Sequence, residues 1–172
     1  VRYSLVGENG QPSDAFTIDS SGFIRVERPY DYESQERNTV DLTVVALQTV
    51  SGTTLENNAS VSVSIIDIND NGPIFEQSQY DETKREDVAN NTFILQVKAT
   101  DADSGPNAVV EYSLYDTEHF YIETVRENNG SYIGVIRVLK HLDFDRPPGP
   151  NYRFKVVATD QGAGSLSSEA SV

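Results

Sequence analysis

With 172 residues the chain has room for one domain or two small ones, each with a modest core, and none for a large multi-layer enzyme. Acidic residues outnumber basic ones 27 to 13, and the net charge of −14 repels phosphate backbones, argues against a nucleic-acid partner and attracts metal cations. The absence of cysteine excludes disulfides and thiolate metal sites, and no apolar run approaches the roughly 20 residues of a membrane span.

The chain opens in mid-strand. Val1 leads straight into "YSL" (residues 3–5), so the sequence is expected to be a piece of a longer polypeptide, with any anchor outside it. Further along, apolar and polar residues alternate: Val40, Leu42, Val44 and Ala46 against Asp41 and Thr43, then Val61, Val63 and Ile65 against Ser62 and Ser64. The same period returns at Tyr152, Phe154, Val156 and Ala158 against Arg153 and Lys155. Period two, with β-branched and aromatic residues on one side, predicts half-buried strands; no stretch has a helical period.

These strands recur. "YSL" returns at residues 112–114, "GFIRVERPYDYE" (22–33) is echoed by "GVIRVLKHLDFD" (134–145), and "VVA" (44–46) reappears at 156–158, the last two pairs at one offset of 112. "FTID" and "FYIE" match at a smaller offset, so the copies differ by loop insertions. One such expansion, "ETVRENNGSYI" after Ile122, is expected as a surface insertion. The fold class is therefore all-β, a tandem of units about 110 residues long, the size of a seven-stranded β-sandwich. Residues 1–72 are expected to be the C-terminal part of one unit, its first strands missing, and 73–172 the following unit, its last strand incomplete. Missing strands would come from chain outside this sequence, because open sandwiches expose core and raw edges.

Asn-x-Ser/Thr triplets begin at Asn58, Asn90 and Asn129, each in a polar stretch expected as a surface loop. They point to N-glycosylation and a secreted ectodomain.

At the joint, "SIIDINDNGPIF" (64–75) starts as a strand, then gathers Asp67, Asn69, Asp70 and Asn71 before Gly72 and Pro73. Oxygen donors without His or Cys suit a hard cation, and Ca²⁺ takes six to eight of them. Further groups lie at Asp31 and Glu33, at Asp101, Asp103 and Asn107, and at Asp160. Other readings are an EF-hand loop, a plain Asn-Gly hairpin turn, or a merely solvated acidic face. The EF-hand would need Glu at its twelfth position, where Ser78 stands, and helices where the flanks read as strands.

Taken together, "DYE", "DINDN", "DAD" and "ATD" in this order, with "YSL" and the Gly-x-Ile-x-Val strand, resemble the calcium-binding motifs of cadherin extracellular repeats over essentially the whole chain. The resemblance implies Greek-key sandwiches joined by a linker that holds about three Ca²⁺ ions. It implies that Asp31 and Glu33 serve the outer two, Glu33 bridging them, with Asp67, Asp70 and the carbonyl of Ile68. The third ion would take Asn69, the Asn71 carbonyl, Asp101, Asp103, the Asn107 carbonyl and Asp160, with Asp103 shared. Seven carboxylates at one junction repel by roughly 3 kcal/mol per close pair at ~5 Å and an effective dielectric of ~20, which three divalent cations nearly neutralise.

Two departures stand out. Gln48 occupies the first copy's counterpart of Asp160, which removes a charged ligand at its far end. In the second copy Asp145 replaces the usual Glu of "LDFD", and with Asp143 and Glu86 it forms a further candidate set for a downstream junction.

The resemblance implies calcium-dependent cell adhesion by a Ca²⁺-rigidified segment of a membrane-anchored, cell-surface ectodomain, whose partners are other cadherin ectodomains, homophilic or heterophilic. An alternative is that these repeats themselves bind a ligand or partner cadherin. An enzyme is the remote alternative: His119 and His141 lie in unrelated settings, no Ser sits in a nucleophile elbow, and metal ligation accounts for "DYE" and "DFD". No catalytic residue, organic cofactor or small-molecule substrate is expected.

Overall fold

The β-branched, alternating stretches pair as the period predicts. The computed structural model describes residues 1–8, 10–34, 37–145 and 151–172. Contacts group them into two compact units, Val1–Asp67 and Ile68–Val172.

In the first unit, β1 (Arg2–Gly7), β4 (Thr39–Val50) and β5 (Thr53–Ser64) form an antiparallel sheet in the order β1-β4-β5, and β2 (Phe16–Ile18) pairs with β3 (Ile24–Val26). Leu5, Phe16 and Leu42 are buried between these layers, with Val40, Val44, Val61, Val63 and Ile65 packed against them. β4 and β5 stay in register from Thr39↔Ser64 to Val50↔Thr53. They turn through Ser51 (φ 49°) and Gly52 (φ 81°), a two-residue loop whose positive φ values match the twist of the strands.

The second unit is a seven-stranded sandwich. One sheet has the order β6-β7-β10-β9 and the other β12-β11-β8, from β6 (Ile74–Phe75), β7 (Phe93–Thr100), β8 (Val110–Tyr115), β9 (Phe120–Arg126), β10 (Tyr132–Val138), β11 (Lys155–Asp160) and β12 (Ser167–Ser171). The helical structure among the described residues is one 3₁₀ turn, Gly105–Ala108. Val97, Ile136, Val138, Val156 and Ala158 are fully buried between the sheets, joined by stacked Phe120 and Phe154. The segment after Pro73 serves both sheets: Ile74 pairs antiparallel with Thr100, whereas Gln79 bridges Ser171 in parallel.

The internal repeat is a repeat of register. Tyr3 faces Ala46 and Leu5 faces Val44 in the first unit; Tyr112 faces Ala158 and Leu114 faces Val156 in the second. Likewise Phe16↔Val26 and Ile18↔Ile24 recur as Phe120↔Val138 and Ile122↔Ile136. Because strand pairing fixes which face each side chain takes, shared register means shared cores.

Two local expectations change, at Asn58 and at Tyr152 and Phe154. Asn58 lies within β5 opposite Val45, exposed but on a strand rather than a loop, because β4 holds its partner strand in register. Asn90 and Asn129 are exposed between strands, as expected. The "ETVRENNGSYI" expansion lengthens the β9–β10 hairpin, closed where Glu127 N donates to Ser131 O at 2.8 Å and Gly130 takes φ 92°. Tyr152 and Phe154 precede β11, although Phe154 and Val172 exchange both backbone hydrogen bonds.

Candidate metal centre

Asp160 ends β11 and is fully buried. Its Oδ1 accepts from Gly162 N (2.9 Å) and Asn69 Nδ2 (3.0 Å), and its Oδ2 from Leu166 N (2.8 Å). The Asp-x-Gly sequence gives a side-chain turn that bends the chain out of the strand. Asn69 is thereby pinned, and its own Oδ1 is buried with no hydrogen-bond donor among the described residues.

A second group forms in the loop after β7. Asp103, 7 % exposed, donates its N to Asp101 Oδ1 at 3.0 Å. Its carboxylate accepts from Asn71 Nδ2 (2.8 Å, Oδ1) and Asn71 N (3.3 Å, Oδ2), while the same Nδ2 reaches Asp70 Oδ1 at 2.9 Å. These linker contacts explain why Ile68–Gly72 groups with the second unit. Asn107 sits in the 3₁₀ turn that follows, and Ile68 is exposed.

Asp103 and Asp160 thus meet amide donors among the described residues, and a buried carboxylate without a positive partner is costly. The donor set of carboxylates, carboxamides and carbonyls, with a buried Asn69 oxygen that no described residue satisfies, fits a hard cation such as Ca²⁺. In the first unit, oxygens of Glu33 and Asp67 lie within 4.8 Å of each other, and Asp31 is exposed in the same loop, its carbonyl accepting from Ser34 Oγ at 3.2 Å.

The other candidate set also assembles within the second unit. Glu86 Oε2 accepts from Phe144 N at 2.7 Å, and Asp143 Oδ1 accepts from Asp145 N at 3.0 Å. Gln48, by contrast, lies exposed on a strand, paired with Leu55. What the sequence did not reveal was the side chain of Asn71 as a clasp on two carboxylates, and the amides of Gly162 and Leu166 as supports for Asp160. For the latter, a glycine two residues after an aspartate was the available signal.

Tyr112 anchors the strands beneath the site. Its hydroxyl accepts from Ala99 N at 2.7 Å and donates to Tyr132 O at 3.0 Å, and burial pushes its pKa up to about 12.

Residues 80–172 match the family model described as the cadherin domain. Over its whole length the chain is 35 % identical to human Protocadherin Fat 1 and 32 % identical to Protein dachsous of Drosophila melanogaster, spanning 4 % and 5 % of those proteins. Among solved structures, it superposes on mouse Cadherin-23 EC22-24 with a TM-score of 0.82 and 34 % identity, covering 99 % of this chain and 51 % of that one. Drosophila N-cadherin EC1-4 gives 0.80 and 33 %, covering 99 % and 39 %. No helix among the described residues is long and apolar enough to cross a membrane.

Proposed function

Because the chain belongs to the cadherin family, we propose that it is a calcium-stiffened segment of an adhesive cell-surface ectodomain. Residues 1–72 form the end of one repeat and 73–172 the next. About three Ca²⁺ ions bind at their junction, held by Asp31, Glu33, Asp67, Asp70, Asp101, Asp103 and Asp160, with Asn69 and the carbonyls of Ile68, Asn71 and Asn107. The calcium would bring positive charge into this cluster of carboxylates, so that the loaded linker is held and the ion-free one hinges. Partners are other cadherin ectodomains.

The observation that carries this reading is the buried Asn69 oxygen, which meets no hydrogen-bond donor among the described residues, beside the fully buried Asp160. Calorimetric titration of the chain should show uptake of about three ions at roughly 10⁻⁴–10⁻³ M, the range of extracellular calcium modules. The Asp103→Ala chain, checked for folding by circular dichroism, should take up markedly less. No uptake by the unsubstituted chain would leave the acidic cluster as a solvated face and remove the proposal.

A further inference from the structure

We infer that Gly162 is a positioning residue for the ion site, required because the space a side chain would fill there is occupied by Asn69. The inference rests on the calcium reading above. A β-carbon at Gly162 would lie 2.4 Å from both Cγ and Oδ1 of Asn69 and 2.7 Å from Asn107 Oδ1. Carbon and oxygen do not approach so closely without displacement of one of them. Conformation is not the reason for glycine here, since Gly162 is not among the glycines with positive φ. Any residue could adopt its backbone, but only glycine leaves the room.

Asn69 cannot simply step aside. Its Nδ2 and the backbone N of Gly162 donate to the same oxygen, Asp160 Oδ1, at 3.0 and 2.9 Å. That shared acceptor is fully buried at the end of β11, so it draws the two residues together and fixes both. Adding a methyl group at residue 162 therefore breaks the Asn69–Asp160 bond or moves the loop that carries both. Either way the Asn69 oxygen leaves its place, while the pairing of β11 with β12 up to Thr159↔Ser167 is untouched.

The test is a mutant cycle on the full chain, with calcium titrated by calorimetry and Asn69 followed by its side-chain amide resonances in chelator. Gly162→Ala should weaken calcium binding by about 10–100-fold, the usual loss when a support of a metal ligand is removed. Asn69→Ala should weaken it comparably, and adding Gly162→Ala to that chain should cost much less than it does in the unsubstituted chain, because of the two side chains in the way only Asn107 is left. The Asn69 amide signals should shift in Gly162→Ala while those of the β7–β10 sheet stay put. Unaltered affinity in Gly162→Ala, or losses that add in the double variant, would overturn the inference and leave the calcium reading intact. Failure of the unsubstituted chain to bind calcium would overturn the reading itself.

Discussion

Asp160 and Tyr112 show what single residues contribute. Both are buried polar groups made tolerable by backbone partners, one within the candidate ion site and one in the core of the same unit. Tyr112→Phe removes the partner of Ala99 N and of Tyr132 O and should destabilise the fold by about 1–3 kcal/mol in denaturant titration. The same hydroxyl sets an alkaline limit. Its folded pKa is raised to about 12 from 10.0, chiefly by burial. The neutral form is thus favoured in the folded state, and its contribution is whole below pH 10 and is lost as pH rises toward 12. Unfolding of Tyr112→Phe should lack that part of the alkaline slope. Of the candidate residues, the aspartates and Asn69 stood out in sequence as a group of oxygen donors without soft ligands, which is the chemistry of a hard cation. The clasp by Asn71 and the room left by Gly162 did not, since both depend on segments brought together only by the fold.

Among elements, the contrast between β4–β5 and β11–β12 is the most informative. In the second unit the β11–β12 pairing stops at Thr159↔Ser167 and Asp160 turns the chain into a loop; in the first, pairing runs on unbroken past Gln48 to the Ser51-Gly52 turn. The position of Gln48 therefore differs from that of Asp160 in two ways: it holds no carboxylate, and it lies within a paired strand and not where a loop begins. Gln48→Asp alone should leave the calcium stoichiometry of the chain unchanged in calorimetry, because the new carboxylate would stand on a paired strand; an added ion would show that the ribbon opens. The existence of the alternating strands followed from period two, whereas their register emerges only in the paired sheets. Residues 56–60 did not read as strand, because Asn and Ser favour turns and Glu is depleted in strands, and pairing with Thr43–Leu47 holds them extended.

At the scale of the whole molecule, charge dominates. With −14 spread over 172 residues, the ion-free chain is opposed by its own repulsion. In chelator its melting temperature should rise as sodium chloride shortens the screening length from about 10 Å at 0.1 M to about 3 Å at 1 M. In millimolar calcium the same salt should matter less, since divalent ions already neutralise the densest cluster. The tandem organisation was visible in sequence because repeated motifs carry repeated registers. The handover of the segment after Pro73 from one sheet to the other was not, since it needs partners distant in the chain. That handover has a mechanical side. Residues 78–80 run parallel to Ser171, with Tyr80 N donating to Ser171 O at 2.9 Å and Ser171 N to Ser78 O at 3.0 Å. Tension entering ahead of residue 78 and leaving beyond Ser171 pulls these two stretches past each other lengthwise. The bonds are then loaded together in shear, whereas a hairpin pulled from its open end unzips one pair at a time, so this small parallel bridge makes the second unit slow to yield under load.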